Sequence, residues 1–252
     1  MALDLNTENE YIEIDGQKIP VYREFFGPYI QQMPLLLQSG REAMSVADVL
    51  IRRYAVQDAP EKVKADWHDR YFCTSVGNNQ FRDGSAKLVL HDDYLIRVNS
   101  DTPLREGAAV LSDEQWESLT GKNVLYISPE RVKEIDRQRY TKESIRDSPE
   151  WNFLFEGNSS TLKTVTEYLF SEMERRFQYT EALEICFDHV QDVHTNRSAY
   201  VIVLENRSRL NGWRNLVNVN CRLVGFLAPE ALMHQAKLLE EMLQLHSHKH
   251  TP

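Results

Sequence analysis

The sequence is poor in cysteine and in long apolar runs, and each shortage removes a class of protein. Its 252 residues contain three cysteines, Cys73, Cys186 and Cys221, far apart in the chain. They form no CxxC pair and no zinc-ribbon spacing. An odd count, with two of the three on apolar stretches, reads as buried free thiols in a reducing compartment. No stretch approaches the roughly 18 apolar residues of a membrane-spanning helix. The first residues, MALDLNTENE, are acidic and lack the apolar core of a signal peptide. The expected location is therefore cytoplasmic, with no membrane contact. Positive charge is also in deficit: 29 Lys and Arg against 38 Asp and Glu give a net charge of −9. A phosphate backbone is repelled by such a surface, which disfavours nucleic acid as a partner. GxGxxG, HExxH and GxSxG are all absent.

What is present is an ordinary globular composition, 42% hydrophobic and 27% charged, so a packed core is expected. The length suits a single α+β domain spanning 1–252. The loop 101–107, DTPLREG, is a candidate boundary that would divide the chain into 1–100 and 108–252. Hairpins dominate the strand signals. Tyr11–Ile14 and Gln17–Pro20 flank Asp15-Gly16, whose tight turn sets Ile12 opposite Ile19 and Glu13 opposite Lys18. A second hairpin is expected over 87–98, turning at His91-Asp92-Asp93. The stretch 181–227 carries the longest strand-like runs. Leu183, Ile185 and Phe187 alternate with Glu184, Cys186 and Asp188. AYVIVL at 199–204 is β-branched and aromatic, and Thr195-Asn196 would be the tip of the hairpin joining the two. Residues 216–227 alternate again. The prediction is a mainly antiparallel sheet built from hairpins, with amphipathic helices packed on it.

Helix starts are signalled by Ser45, Asp58, Ser112, Ser128-Pro129, Ser148-Pro149 and Asn158. The clearest helix is Ser159–Phe177, where Leu162, Val165, Leu169, Met173 and Phe177 recur at spacings of three and four. A terminal helix over 229–245, rich in Leu and Met, is expected to dock on a protein partner or on a second copy.

Three site hypotheses follow from residue chemistry. Asp188, Asp192 and His194 are of metal-ligand and acid–base type, as are His91 and Asp92, and would serve a divalent metal in a hydrolase or nuclease. Geometry opposes the first set. A strand advances about 3.3 Å per residue, placing Asp188 about 13 Å from Asp192 and about 20 Å from His194. Only Asp192 and His194 could share an ion. The second hypothesis is an anion or nucleotide at the helix N-terminus formed by Asn158, Ser159 and Lys163. The basic residues of 131–146 would assist it, but Glu130, Glu134, Asp136 and Glu143 among them point to salt-bridged helix. The third reading is a regulatory or assembly protein that acts by protein binding. The absence of any catalytic motif favours this one.

Overall fold

The structure, a computed structural model, describes residues 2–3, 11–14, 17–187, 192–201, 209–211 and 216–227. Its architecture is α+β, a largely antiparallel sheet with helices packed against it. The strand at its centre is one the sequence half concealed. Residues 71–76 read as a short strand followed by a polar loop, yet Phe72–Gln80 is continuous strand and buried along its whole length. Label the strands β1 (Tyr22–Phe26), β2 (Phe72–Gln80), β3 (Ala86–Val89), β4 (Ala108–Leu111), β5 (Val124–Ile127), β6 (Glu184–Cys186), β7 (His194–Val201), β8 (Arg209–Asn211) and β9 (Arg222–Phe226). One half of β2 lies between β7 and β3, both antiparallel to it; the other half lies between β7 and β9. Strand β3 continues to β5, and β7 also pairs with β4. Strands from both sides of the loop 101–107 thus share one sheet.

Phe72 and Val76 of β2 enter one core, with Leu50, Trp67 and the Leu162–Met173 face of the long helix. Cys73 enters the other, with Tyr29, Met33, Leu36, Leu95 and Leu223. The helices are α1 (Tyr29–Gln38), α2 (Val46–Ala55), α3 (Glu61–His68), α4 (Asp93–Ile96), α5 (Asp113–Ser118), α6 (Pro129–Ile135), α7 (Pro149–Leu154) and α8 (Ser159–Phe177). Ser45 and Ser112 form full capping boxes with Asp48 and Gln115. Asp58 does not cap α3, whose N-cap is Pro60.

Several sequence expectations are corrected. The pairing of Tyr11–Ile14 with Gln17–Pro20 does have the register that an Asp-Gly turn predicts. The 87–98 hairpin does not form. After β3 the chain turns into α4, because Asp92 caps that helix through Tyr94 N and Leu95 N. Thr195-Asn196 is no hairpin tip either: both residues lie inside β7, paired with Gln80 and Asn79. The bend falls before β7, where Asp192 has φ 68°. Strands β6 and β7 are not neighbours, since β8 lies between them, parallel to β6 and antiparallel to β7. In 216–227 only Arg222–Phe226 is strand. There the Asn218 side chain accepts the Asn220 N–H at 2.9 Å and favours a turn. Cys73 and Cys221 are joined in a disulfide, and Cys186 alone is free and buried. They meet because Leu223 of β9 pairs with Cys73, a neighbourhood hidden by a sequence separation of 148. The 229–245 helix lies outside the described residues.

The basic residues of 131–146 do not share one helix. They anchor separate elements: Arg139 pairs with Glu184 and Arg146 with Glu167. Arg131 holds Glu150 with two hydrogen bonds of 2.8 and 3.0 Å, and Ser148 donates a third at 2.7 Å. Burial pushes the Glu150 carboxyl up, but those bonds outweigh it and hold it below its ordinary 4.5. A folded-state value below the unfolded one means stability that is present at neutral pH and lost as pH falls through the folded value. The stability–pH curve of the Glu150→Gln variant is therefore expected to be flatter than wild type in the acid range. Parallel curves from denaturant melts would remove this role from Glu150.

Candidate functional site

The polar half of β2 and the polar half of β7 are buried against each other. Ser75, Asn78, Asn79 and Gln80 face Thr195, Asn196, Arg197 and Ser198, all within 1% of full burial. Such groups are tolerated inside only when hydrogen-bonded. Ser75 Oγ, Gln80 Oε1 and Thr195 Oγ1 have no partner among the described residues, while Asp92 binds the Asn79 and Asn196 side chains. Its Oδ2 accepts from Asn79 Nδ2 at 3.0 Å and Asn196 Nδ2 at 2.9 Å. Its Oδ1 accepts from the Tyr94 N–H at 2.8 Å and the Leu95 N–H at 3.3 Å. Its own N–H donates to the Ser75 carbonyl at 2.9 Å. Burial pushes the Asp92 carboxyl up, and these four donors to its oxygens counter the shift. One side chain thereby ties β2, β7 and α4 together. Gly77 makes the approach feasible, because a Cβ there would stand 1.9 Å from Asp92 Oδ2.

Over this node opens a cleft of about 340 Å³ between α4, α5 and the start of β5. Val89, Leu111, Leu119 and Val124 give it apolar lining, and His91, Asp93, Arg97, Gln115, Thr120 and Asn123 line it with polar groups. Apolar lining with a few fixed polar groups is the usual composition of a binding pocket.

The candidate residues from the sequence distribute as follows. Asp92 is at the base of the cleft and His91 at its edge, exposed, with Nε2 3.7 Å from Glu156 Oε1. His194 is buried in an aromatic stack, 3.9 Å from the Phe81 ring and 5.9 Å from Trp116, with Nε2 2.7 Å from Asp113 Oδ1. Lys87 completes that stack, its Nζ 4.5 Å from the centre of the Trp116 ring. Asp192 is exposed at the bend. The structure joins Asp92 to β7 through Asn196, while His194 turns away to Asp113. Asp188 lies outside the described residues. Among the described residues, no three His, Cys, Asp or Glu side chains gather closely enough to hold a metal ion. At the start of α8, Asn158 Oδ1 accepts the Thr161 N–H at 3.1 Å and the Ser160 hydroxyl at 2.9 Å. Ser159 and Lys163 are exposed there.

Sequence reasoning missed Asn79, Asn196 and Gly77. The strand FCTSVGNNQ has no period of two, since polar and apolar residues are buried alike. The available signal was Asp92 followed by Asp-Tyr-Leu-Ile, an N-cap pattern with an apolar residue three positions on.

No protein-family model and no curated protein matches this chain. One solved structure does, described as "Accommodation of massive sequence variation in Nanoarchaeota by the C-type lectin fold". It superposes with a TM-score of 0.58 at 16% identity, covering 85% of this chain and 100% of that one. At that identity the likeness concerns the fold alone, and the fold is similar to the one described there as the C-type lectin fold. Among the described residues no helix is long and apolar enough to cross a membrane.

Proposed function

We propose that this protein acts by binding a protein partner, and that the partner seats an apolar side chain in the cleft over Asp92. The observation carrying the reading is the cleft itself: it opens beside a buried hydrogen-bonded node, and its lining mixes apolar residues, Leu119 and Val124 among them, with polar and charged ones. Interface hot spots have this form, a rigid pocket with a rim that keeps out water. Arg97 and Asp93 place both signs of charge at the rim, which favours a mixed polar partner surface over a uniformly charged one. The fold neighbour is described in terms of massive sequence variation. A scaffold that holds while its surface residues change is well suited to recognition.

Selection of peptides from a random displayed library against the folded chain tests this. The selected peptides are expected to share one bulky apolar anchor. The Leu119→Asp variant, which puts a charge in the lining, should weaken them by at least about tenfold, or ~1.4 kcal/mol. Peptides that bind the variant as tightly as wild type would place recognition elsewhere.

A further inference from the structure

Strand β5 stands at an edge of the sheet: among the described residues it pairs with β3 and with no other strand. Its register shows which backbone groups are in use. In an antiparallel pair, opposed residues alternate between those that exchange N–H···O bonds and those whose groups point away. The Leu90 N–H donates to the Asn123 carbonyl at 2.9 Å, which makes these two a bonded pair. The alternation then bonds Leu88 to Leu125 and Ala86 to Ile127, and turns the backbone groups of Val124 and Tyr126 outward. The other side of β3 agrees, since the Phe81 N–H donates to the Ser85 carbonyl at 2.9 Å, a phase that aims Lys87 and Val89 at β2. The Val124 N–H is taken by the Gly121 carbonyl at 3.2 Å. The Val124 carbonyl and the Tyr126 N–H and carbonyl remain, and among the described residues none of them has a partner.

Sheet edges are ordinarily blunted by lysine, by proline or by a covering loop, because they template pairing with another chain. Strand β5 reads Val-Leu-Tyr-Ile and carries neither residue. Val124 and Tyr126, two apart, put their side chains on one face. Val124 lines the cleft over Asp92, and Tyr126 next to it is 56% exposed. We propose that the partner bound at the cleft presents an extended segment, which adds to the sheet as a strand beside β5. This inference rests on the cleft reading and gives its partner a backbone conformation. Hydrogen bonds to Val124 and Tyr126 set the register. The side chain opposite Val124 then enters the cleft, and the one two positions along the segment lies over Tyr126. The ligand is therefore an extended peptide with apolar residues at i and i+2, the one over Tyr126 aromatic or β-branched.

Hydrogen exchange in the isotopically labelled full chain tests this, with acetyl-Lys-Thr-Val-Thr-Leu-Thr-Lys-amide as the probe. In the free chain the Leu125 and Ile127 amides should exchange slowly and the Tyr126 amide fast. Millimolar probe should slow Tyr126 by about tenfold or more. Alternate N–H groups of a strand face its neighbour. N-methylation of the probe at Val and Leu, or instead at every Thr, should therefore abolish the protection in one case and spare it in the other. Tyr126→Pro removes the outward N–H without touching the bonds to β3. It should bind the probe about fivefold more weakly than Tyr126→Ala; the exchange result decides if Tyr126→Pro does not fold. A Tyr126 amide unmoved by the probe, equal loss from both methylated forms, or a dimer whose Tyr126 amide is already slow would overturn the proposal. Peptides selected against the cleft that distinguish Leu119→Asp from wild type, yet leave Tyr126 fast, would overturn the edge pairing alone. Peptides that do not distinguish the variant would remove the cleft reading itself.

Discussion

Gly77→Ala is expected to cost about 3–5 kcal/mol of stability, a large loss for adding one methyl group. Gly77 does not have a positive φ, so the loss does not come from backbone strain. It comes from space: the new Cβ would sit 1.9 Å from Asp92 Oδ2 and 2.7 Å from Asn79 Nδ2. The carboxylate must move, and with it go the bonds from Asn79 and Asn196. Each hydrogen bond to a charged acceptor is worth roughly 1.5–3 kcal/mol, and a buried acceptor left without donors costs more. For a chain of this length, ~1 kcal/mol lowers the melting temperature by about 2–4 °C, so a fall of about 10 °C is expected. Pairing the change with Asp92→Ala isolates the cause. If the clash with Asp92 is responsible, Gly77→Ala should cost far less in the Asp92→Ala background than in wild type. Equal costs in the two backgrounds would show that Gly77 serves something other than Asp92.

The second large effect concerns Cys73 and Cys221. Reduction of the purified protein is expected to remove about 3–5 kcal/mol of stability. Closing a loop lowers the entropy of the unfolded chain, by about 4.7 kcal/mol for a loop of roughly 100 residues. The loop here spans 148 residues. Because the bridge joins β2 to the start of β9, its loss should loosen the pairing of the C-terminal strand with the sheet centre. A thiol titration in denaturant without reductant should find only Cys186. Three reactive thiols in protein purified under air, or melts that ignore reductant, would contradict the bridge and restore the reading of three free thiols.

How far the sequence made this legible differs between elements. The helices with side-chain caps were readable, since Ser45, Ser112, Ser128, Ser148 and Asn158 each bond a backbone N–H of their own first turn. Those are local interactions. The α+β class was readable from the hairpin signals, although two of the hairpins are not formed. They misled because strand-like composition at 94–98 and at 183–187 says nothing about which strand lies alongside. Asp92 was singled out for its metal-binding chemistry, and the structure uses it as a cap and a hydrogen-bond hub. Its partners, Asn79 and Asn196, lie 13 and 104 residues away, beyond any local pattern. His68 carries no sequence signal that sets it apart from a surface or satisfied histidine. Its buried position depends on the Arg53 carbonyl of α2 and on Tyr168 of α8, again distant pairings.

The most direct test of the account is where a selected peptide lands on the protein. Titration into isotopically labelled chain, followed by amide chemical shifts, should perturb Val89, Leu111, Leu119, Val124 and the Arg97 segment, leaving α3 and α8 still. Perturbations centred on α8, or on the exposed Val217 and Val219, with Leu119 and Val124 unmoved, would contradict the claim that the Asp92 node supports the binding surface.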